Sequence, residues 1–133
     1  MKNRPKNNSQ SSPFGCQLWV EPDDSPERLR HLMSAARKSG LSRLRIFLLW
    51  TRIEHDPGHF DFTAYDHVFE AAAQAGLGIK ATLTANSGPW HVGTPAALHS
   101  HTGFLADDQR PPMERYIREC VTRYARHPAL CQW

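Results

Sequence analysis

Two seven-residue segments of this chain repeat one arrangement. Ala35-Ala36-Arg37-Lys38-Ser39-Gly40-Leu41 and Ala71-Ala72-Ala73-Gln74-Ala75-Gly76-Leu77 share the Ala-Ala at their start and the Gly-Leu at their end. Each closes an amphipathic stripe and opens onto an apolar run, so the chain passes twice from helix to strand in the same way. Before the first segment, Leu29, Leu32, Met33 and Ala36 recur at helical spacing. Ser25, Pro26 and Glu27 supply an N-cap, a first-position proline and a first-turn acid. Gly40 is placed to end that helix. Before the second segment, Tyr65, Val68, Phe69, Ala72 and Ala73 form another stripe. Thr63 with Asp66 three residues later reads as its capping box, and Gly76 as its end.

Apolar runs at Phe14 to Val20, Arg43 to Trp50, Ile79 to Thr84 and Ala129 to Trp133 read as strands. Pro112 to His127 reads as a third helix, with Met113, Tyr116, Ile117, Cys120, Val121 and Tyr124 on one face. Thr51 to Asp61 is expected to be a loop turning at Pro57-Gly58. The stretch from Ala85 to Pro111 exceeds an ordinary connector and is expected to be a functional loop. Met1 to Pro13 is polar and reads as a flexible tail ahead of a body from 14 to 133.

The resulting order, βαβαβαβ, implies an α/β fold with parallel strands joined by crossover helices. A doubly wound sheet accepts that order, but its first turn usually carries glycines for a phosphate. Here that turn is Glu21-Pro22-Asp23-Asp24, which repels one. A (β/α)8 barrel also accepts it and needs about 250 residues. The 133 residues present supply four strands and three helices, a partial barrel.

Charge narrows the partners. Sixteen cations face thirteen acids, but Lys2, Arg4 and Lys6 lie in the tail, so the body is balanced. No basic stripe marks a nucleic-acid face. The densest apolar run, Ile46 to Trp50, is far short of the roughly 20 residues of a membrane span, and no secretory leader is visible. Cys16, Cys120 and Cys131 are an odd set with no CxxC, which suits buried thiols in a reducing cytosol. A cytoplasmic location is expected.

Four segments resemble the N-terminal half of the catalytic barrel of glycoside hydrolase family 42, the β-galactosidase family of retaining clan A. They are Phe14-Gly15-Cys16-Gln17-Leu18-Trp19 with Glu21-Pro22; Leu44-Arg45-Ile46 with Trp50-Thr51-Arg52-Ile53-Glu54 and Pro57-Gly58-His59-Phe60-Asp61-Phe62; Ala75-Gly76-Leu77-Gly78-Ile79-Lys80; and Tyr124-Ala125-Arg126-His127-Pro128-Ala129-Leu130 with Trp133. The resemblance implies a galactoside-like carbohydrate substrate, double displacement and no cofactor. In the clan an Asn-Glu pair carrying the acid/base follows strand four, and the nucleophile lies on a later strand. The resemblance therefore implies that both catalytic carboxylates are missing from these residues and that the chain alone does not hydrolyse glycosides. An arginine at the position of Arg45 supports the nucleophile in the clan.

Alternation in Arg43 to Trp50 puts Arg45, Phe47 and Leu49 on one face and Leu44, Ile46 and Leu48 on the other. On a barrel interior Arg45 would need a carboxylate, since a buried unpaired charge costs several kcal/mol. Trp19, Trp50 and Trp90 fall at or past strand ends, where aromatic rings suit the C–H faces of sugars. Asn86 is placed to bond a sugar hydroxyl. Arg45, Trp50, Asn86 and Trp90 are thus the expected substrate-binding residues. Glu21, Glu54 and Asp61 are carboxylates near strand ends but make an unconvincing acid/base pair. His91, His99 and His101 lack the remaining ligands of a metal site. A different class of function, a non-catalytic half-barrel that binds sugar or associates with itself through unpaired sheet edges, stays open.

Overall fold

The computed structural model describes residues 14–21, 23–84 and 110–133. Along the chain come β1 (Gly15–Gln17), α1 (Pro26–Lys38), β2 (Arg43–Leu49), α2 (Trp50–Ile53), β3 (Glu54–Asp56), β4 (His59–Phe60), α3 (Thr63–Ala75), β5 (Gly78–Thr84), α4 (Arg110–Tyr124) and β6 (Leu130–Gln132). The main sheet runs β1-β2-β5-β6, and every pairing in it is parallel. Strands therefore lie side by side in chain order, as in a barrel. In a doubly wound sheet the first strand would sit inside, whereas among the described residues β1 is at an edge.

The α/β reading holds, with local adjustments. The first and last strands are shorter than expected. Trp50 leaves β2 to start the four-residue helix α2. The expected loop after it folds into a small antiparallel hairpin, β3-β4, pairing Glu54 with Phe60 and Asp56 with His59. Gly58 turns that hairpin at φ 81°.

One face of the sheet carries the core. Leu44, Ile46 and Leu48 of β2 and Ile79 and Ala81 of β5 are buried against Leu29 and Met33 of α1, Val68, Phe69 and Ala72 of α3, and Tyr116, Cys120 and Tyr124 of α4. Each large aliphatic side chain so enclosed contributes about 1.5–3 kcal/mol. The helix stripes are those the spacing predicts, except that Val121 stays exposed.

The repeated helix ends fold identically. Gly40 and Gly76 both adopt left-handed φ, 86° and 69°. Leu41 donates to Ala36 at 3.1 Å and Leu77 to Ala72 at 2.9 Å. Gly40 donates to Arg37 and Gly76 to Ala73, completing a Schellman-type closure at each end. At the start of α1, Ser25 accepts from the Arg28 N–H at 3.1 Å. The expected Thr63–Asp66 box does not form. Asp61 accepts from the Thr63 N–H at 2.8 Å instead, while Asp66 takes Arg123 and the Tyr124 hydroxyl from α4.

Candidate functional site

Strand register stacks the remaining side chains in rows on the face turned away from the helices. Gly15, Arg43 and Gly78 form the lowest row. Gln17, Arg45, Lys80 and Gln132 form the next, across all four strands. Phe47 and Thr82 stand above them, at the carboxyl ends where barrel enzymes place their chemistry. The glycine at 15 is required, because a Cβ there would lie 2.8 Å from the Arg43 carbonyl oxygen.

Arg45 sits on this face, as alternation predicts. Its Nε donates to Thr82 Oγ1 at 3.0 Å, and its guanidinium lies 4.7 Å from the centre of the Phe47 ring. No carboxylate among the described residues pairs with it. Trp19, beyond the end of β1, brings its ring to 6.3 Å from that of Phe47 at an interplanar angle of 54°. Trp19 is 50% exposed, so much of its ring is open to a ligand. The Arg52 guanidinium approaches the same ring at 5.6 Å, donates to the Val20 carbonyl and pairs with Glu21 at 3.3 Å. An aromatic step flanked by two arginines thus occupies the ends of β1 and β2.

Hydroxyls from α3, α4 and β5 itself hold the ends of β2 and β5. Tyr65 accepts from the Leu49 N–H at 3.0 Å. Tyr116 donates to the Leu48 carbonyl and accepts from the Thr84 N–H at 3.3 Å. Thr84 Oγ1 donates to the same carbonyl at 2.6 Å. Burial pushes both tyrosine hydroxyls above their ordinary range, which keeps them protonated.

Trp50 corrects an expectation. It is 1% exposed, stacked on Tyr116 with ring centres 5.2 Å apart, and its indole N–H is taken by Glu54. It offers no face to a sugar. The physical reason is parity: Trp50 continues the buried series Leu44, Ile46, Leu48, and the turn into α2 keeps it on the helix side.

The candidate carboxylates are each engaged. Glu54 is 3% exposed and accepts from Trp50 Nε1 and the Gly58 N–H, which ties α2 to the β3-β4 turn. Asp61 holds the start of α3, and its hydrogen bonds from Thr63 draw its pKa below the ordinary carboxylate value. Glu21 is paired with Arg52. Glu21 and Asp61 do share a recess of about 150 Å³ with Arg52, His55 and Tyr65. Asn86, Trp90, His91, His99 and His101 lie outside the described residues. Among the described residues, no three His, Cys, Asp or Glu side chains are grouped to hold a metal ion.

Phe47, Lys80, Thr82 and Arg52 are members of this surface that the sequence reading did not select. The signal was available for three of them. Ile79 and Ala81 are apolar, so alternation sends Lys80 and Thr82 to the face of Arg45 and Phe47.

No protein-family profile matches the chain, and no curated protein does. Solved structures do match. The β-galactosidase of the psychrophilic Marinomonas ef1 superposes with a TM-score of 0.73 at 18% identity, over 90% of this chain and 20% of that one. The endo-β-1,4-mannanase of Thermotoga petrophila gives 0.67 at 17% identity, over 88% and 32%. The polyextremophilic β-galactosidase of the Antarctic haloarchaeon Halorubrum lacusprofundi gives 0.64 at 19% identity, over 90% and 20%. The chain spans between a fifth and a third of the length of these proteins. At such identities the likeness is one of fold. The four parallel strands and their helices form part of a barrel of the kind found in glycoside hydrolases.

Proposed function

We propose that residues 14–133 form the first half of the catalytic barrel of a retaining, β-galactosidase-like glycoside hydrolase, with 1–13 as a tail. In this reading the chain contributes sugar-binding groups, not the acid/base pair. One observation carries it: Trp19, Phe47, Arg45 and Thr82 meet at the carboxyl ends of β1, β2 and β5. Trp19 supplies a flat apolar surface for the C–H face of a pyranose. Arg45 and Thr82 supply directed polar groups for its hydroxyls. Asn86 and Trp90, which lie outside the described residues, are proposed as further sugar-binding groups on the strength of the sequence reading.

Retaining hydrolysis requires two carboxyl groups about 5–5.5 Å apart. Glu21, Glu54 and Asp61 are bound to Arg52, to Trp50 and Gly58, and to Thr63. None is poised as nucleophile or proton donor. In this reading the chain alone binds a galactoside-like sugar without cleaving it, and the family 42 resemblance implies no cofactor. The galactoside preference rests on the family 42 resemblance and on the β-galactosidases among the similar structures. A reducing, cytoplasmic setting fits the three free cysteines.

The test is an NMR titration of the chain with 4-nitrophenyl β-D-galactoside, with nitrophenolate release followed in parallel. Shifts at the Trp19 indole and at the Arg45, Phe47 and Thr82 amides, without release, are expected. Release that a substitution in this chain abolishes would overturn the reading, and so would the absence of any shift at tens of millimolar sugar.

A further inference from the structure

One guanidinium grips three consecutive residues past the end of β1. Arg52 lies over the Trp19 ring at 5.6 Å, donates through one terminal nitrogen to the Val20 carbonyl and pairs through the other with Glu21 at 3.3 Å. Its own placement is set locally. Trp50 and Ile53 of α2 are buried, which turns Arg52 away from the core side of that single turn. The Arg52 side chain is 24% exposed, so packing has already removed most of its freedom.

The segment it grips has little else to orient it. Among the described residues, the last backbone bond tying that segment to β2 runs from the Leu18 N–H to the Arg45 carbonyl at 2.9 Å. Val20 is buried in the core and anchors the backbone just beyond. The half-exposed Trp19 side chain between them meets, among the described residues, the Phe47 ring at 6.3 Å and the Arg52 guanidinium. A side chain open to water on one side keeps several rotamers unless a contact selects one. The cation over its face is such a contact.

We propose that Arg52 is the positioning residue of the Trp19 sugar platform: it fixes the ring against Phe47 and, by covering one face, offers the other to a pyranose. The proposal rests on the sugar-binding reading and adds the residue on which the geometry of that site depends. Shape matters here as well as charge. A guanidinium is a planar fork that stacks on a ring while donating in two directions, whereas an ammonium is a point charge on a flexible stem. Arg52→Lys therefore keeps a charge for Glu21 but loses the flat face and the fork.

The experiment joins a structural readout to an affinity. NOEs between the Trp19 indole and the Phe47 ring are compared in the wild-type chain, Arg52→Met and Arg52→Lys, with Arg45–Lys80 NOEs showing that the sheet is intact. The Kd for 4-nitrophenyl β-D-galactoside is measured in the same chains, in Trp19→Ala and in Trp19→Ala/Arg52→Met. The Trp19–Phe47 contact is expected to weaken in both Arg52 variants while the Arg45–Lys80 contacts stay. Kd is expected to rise at least about fivefold in Arg52→Met and to lie within about twofold of that value in Arg52→Lys. Adding Arg52→Met to Trp19→Ala is expected to change nothing further, since a residue that acts through another has no effect in its absence. An unchanged Trp19–Phe47 contact in Arg52→Met overturns the proposal, and so does full rescue by Arg52→Lys. An equal effect of Arg52→Met with and without the Trp19 ring also overturns it, by placing Arg52 on the sugar itself. Should Arg52→Met lose the sheet contacts, Arg52→Lys carries the same comparisons. A wild-type chain that binds no sugar contradicts the sugar-binding reading; the Trp19–Phe47 comparison then still upholds or overturns the hold of Arg52 on the ring.

Discussion

Trp50 donates its indole N–H to Oε2 of Glu54 across 2.5 Å, with both side chains buried. The other Glu54 oxygen accepts from the Gly58 N–H, so one carboxylate joins the end of β2 to the β3-β4 turn. Trp50 in turn stacks on Tyr116, whose hydroxyl fixes the Leu48 carbonyl. The strand end that presents Phe47 is thus braced from behind by a tryptophan that the sequence suggested would face the ligand.

Breaking that brace is costly because it strands a buried polar group. Trp50→Phe removes the donor and keeps an aromatic ring; a loss of about 1–3 kcal/mol is expected. Glu54→Ala removes the acceptor that the Trp50 indole and the Gly58 N–H share and is expected to cost at least as much. Glu54→Gln retains one acceptor oxygen and is expected to fall between wild type and Glu54→Ala. Urea unfolding at neutral pH measures all three. Equal stability of Glu54→Ala and wild type would contradict the assignment.

What was readable in the sequence was what depends on neighbours along the chain. Ser25 and Gly40 delimit α1, Gly76 ends α3, and alternation in β2 sorted Arg45 from Leu44 and Ile46. What depends on distant partners was not readable. Thr63 and Asp66 have the spacing of a capping box, but Arg123 and Tyr124, more than fifty residues away, claim the Asp66 carboxylate. Trp50 lay within reach of the alternation argument. Its position near a strand end points to a ligand, whereas parity places it with Leu48 in the core. The site itself was half legible: Arg45 follows from the strand pattern, whereas its contact with Thr82 needs the register of β2 on β5.

The thiols are expected to react in two classes. Cys16 and Cys131 are exposed, and Cys120 is buried in the α4 core contact. Burial pushes the Cys120 thiol up to about 12, so little thiolate is present near neutrality. Iodoacetamide at about pH 8 should alkylate Cys16 and Cys131 at least tenfold faster than Cys120 in the folded chain, with the difference vanishing in denaturant. Mass spectrometry of the peptides reads this directly; equal native rates would show that Cys120 is not buried where α4 packs on the core.

Asp61 gives a pH signature. Hydrogen bonds from Thr63, aided by His55 and His59, lower its folded pKa below the ordinary 3.8. A depressed carboxylate contributes stability that is complete above the unfolded value and is lost as pH falls through the folded one. Asp61→Asn should therefore be less stable than wild type at about pH 6, and the gap should close as pH falls below about 4. Urea midpoints across that range measure it. A gap that stays constant down to about pH 2 would assign the effect to packing instead.

The account depends most on strand order and on the side to which Arg45 turns. Backbone and side-chain NOEs in the isotopically labelled chain test both together. Contacts from Gln17 to Arg45, Arg45 to Lys80 and Lys80 to Gln132, with Arg45 side-chain contacts to Phe47 and Thr82, are predicted. Contacts placing β1 between two other strands, or the Arg45 side chain against Leu29 and Met33 of α1, would contradict the partial barrel and everything built on it.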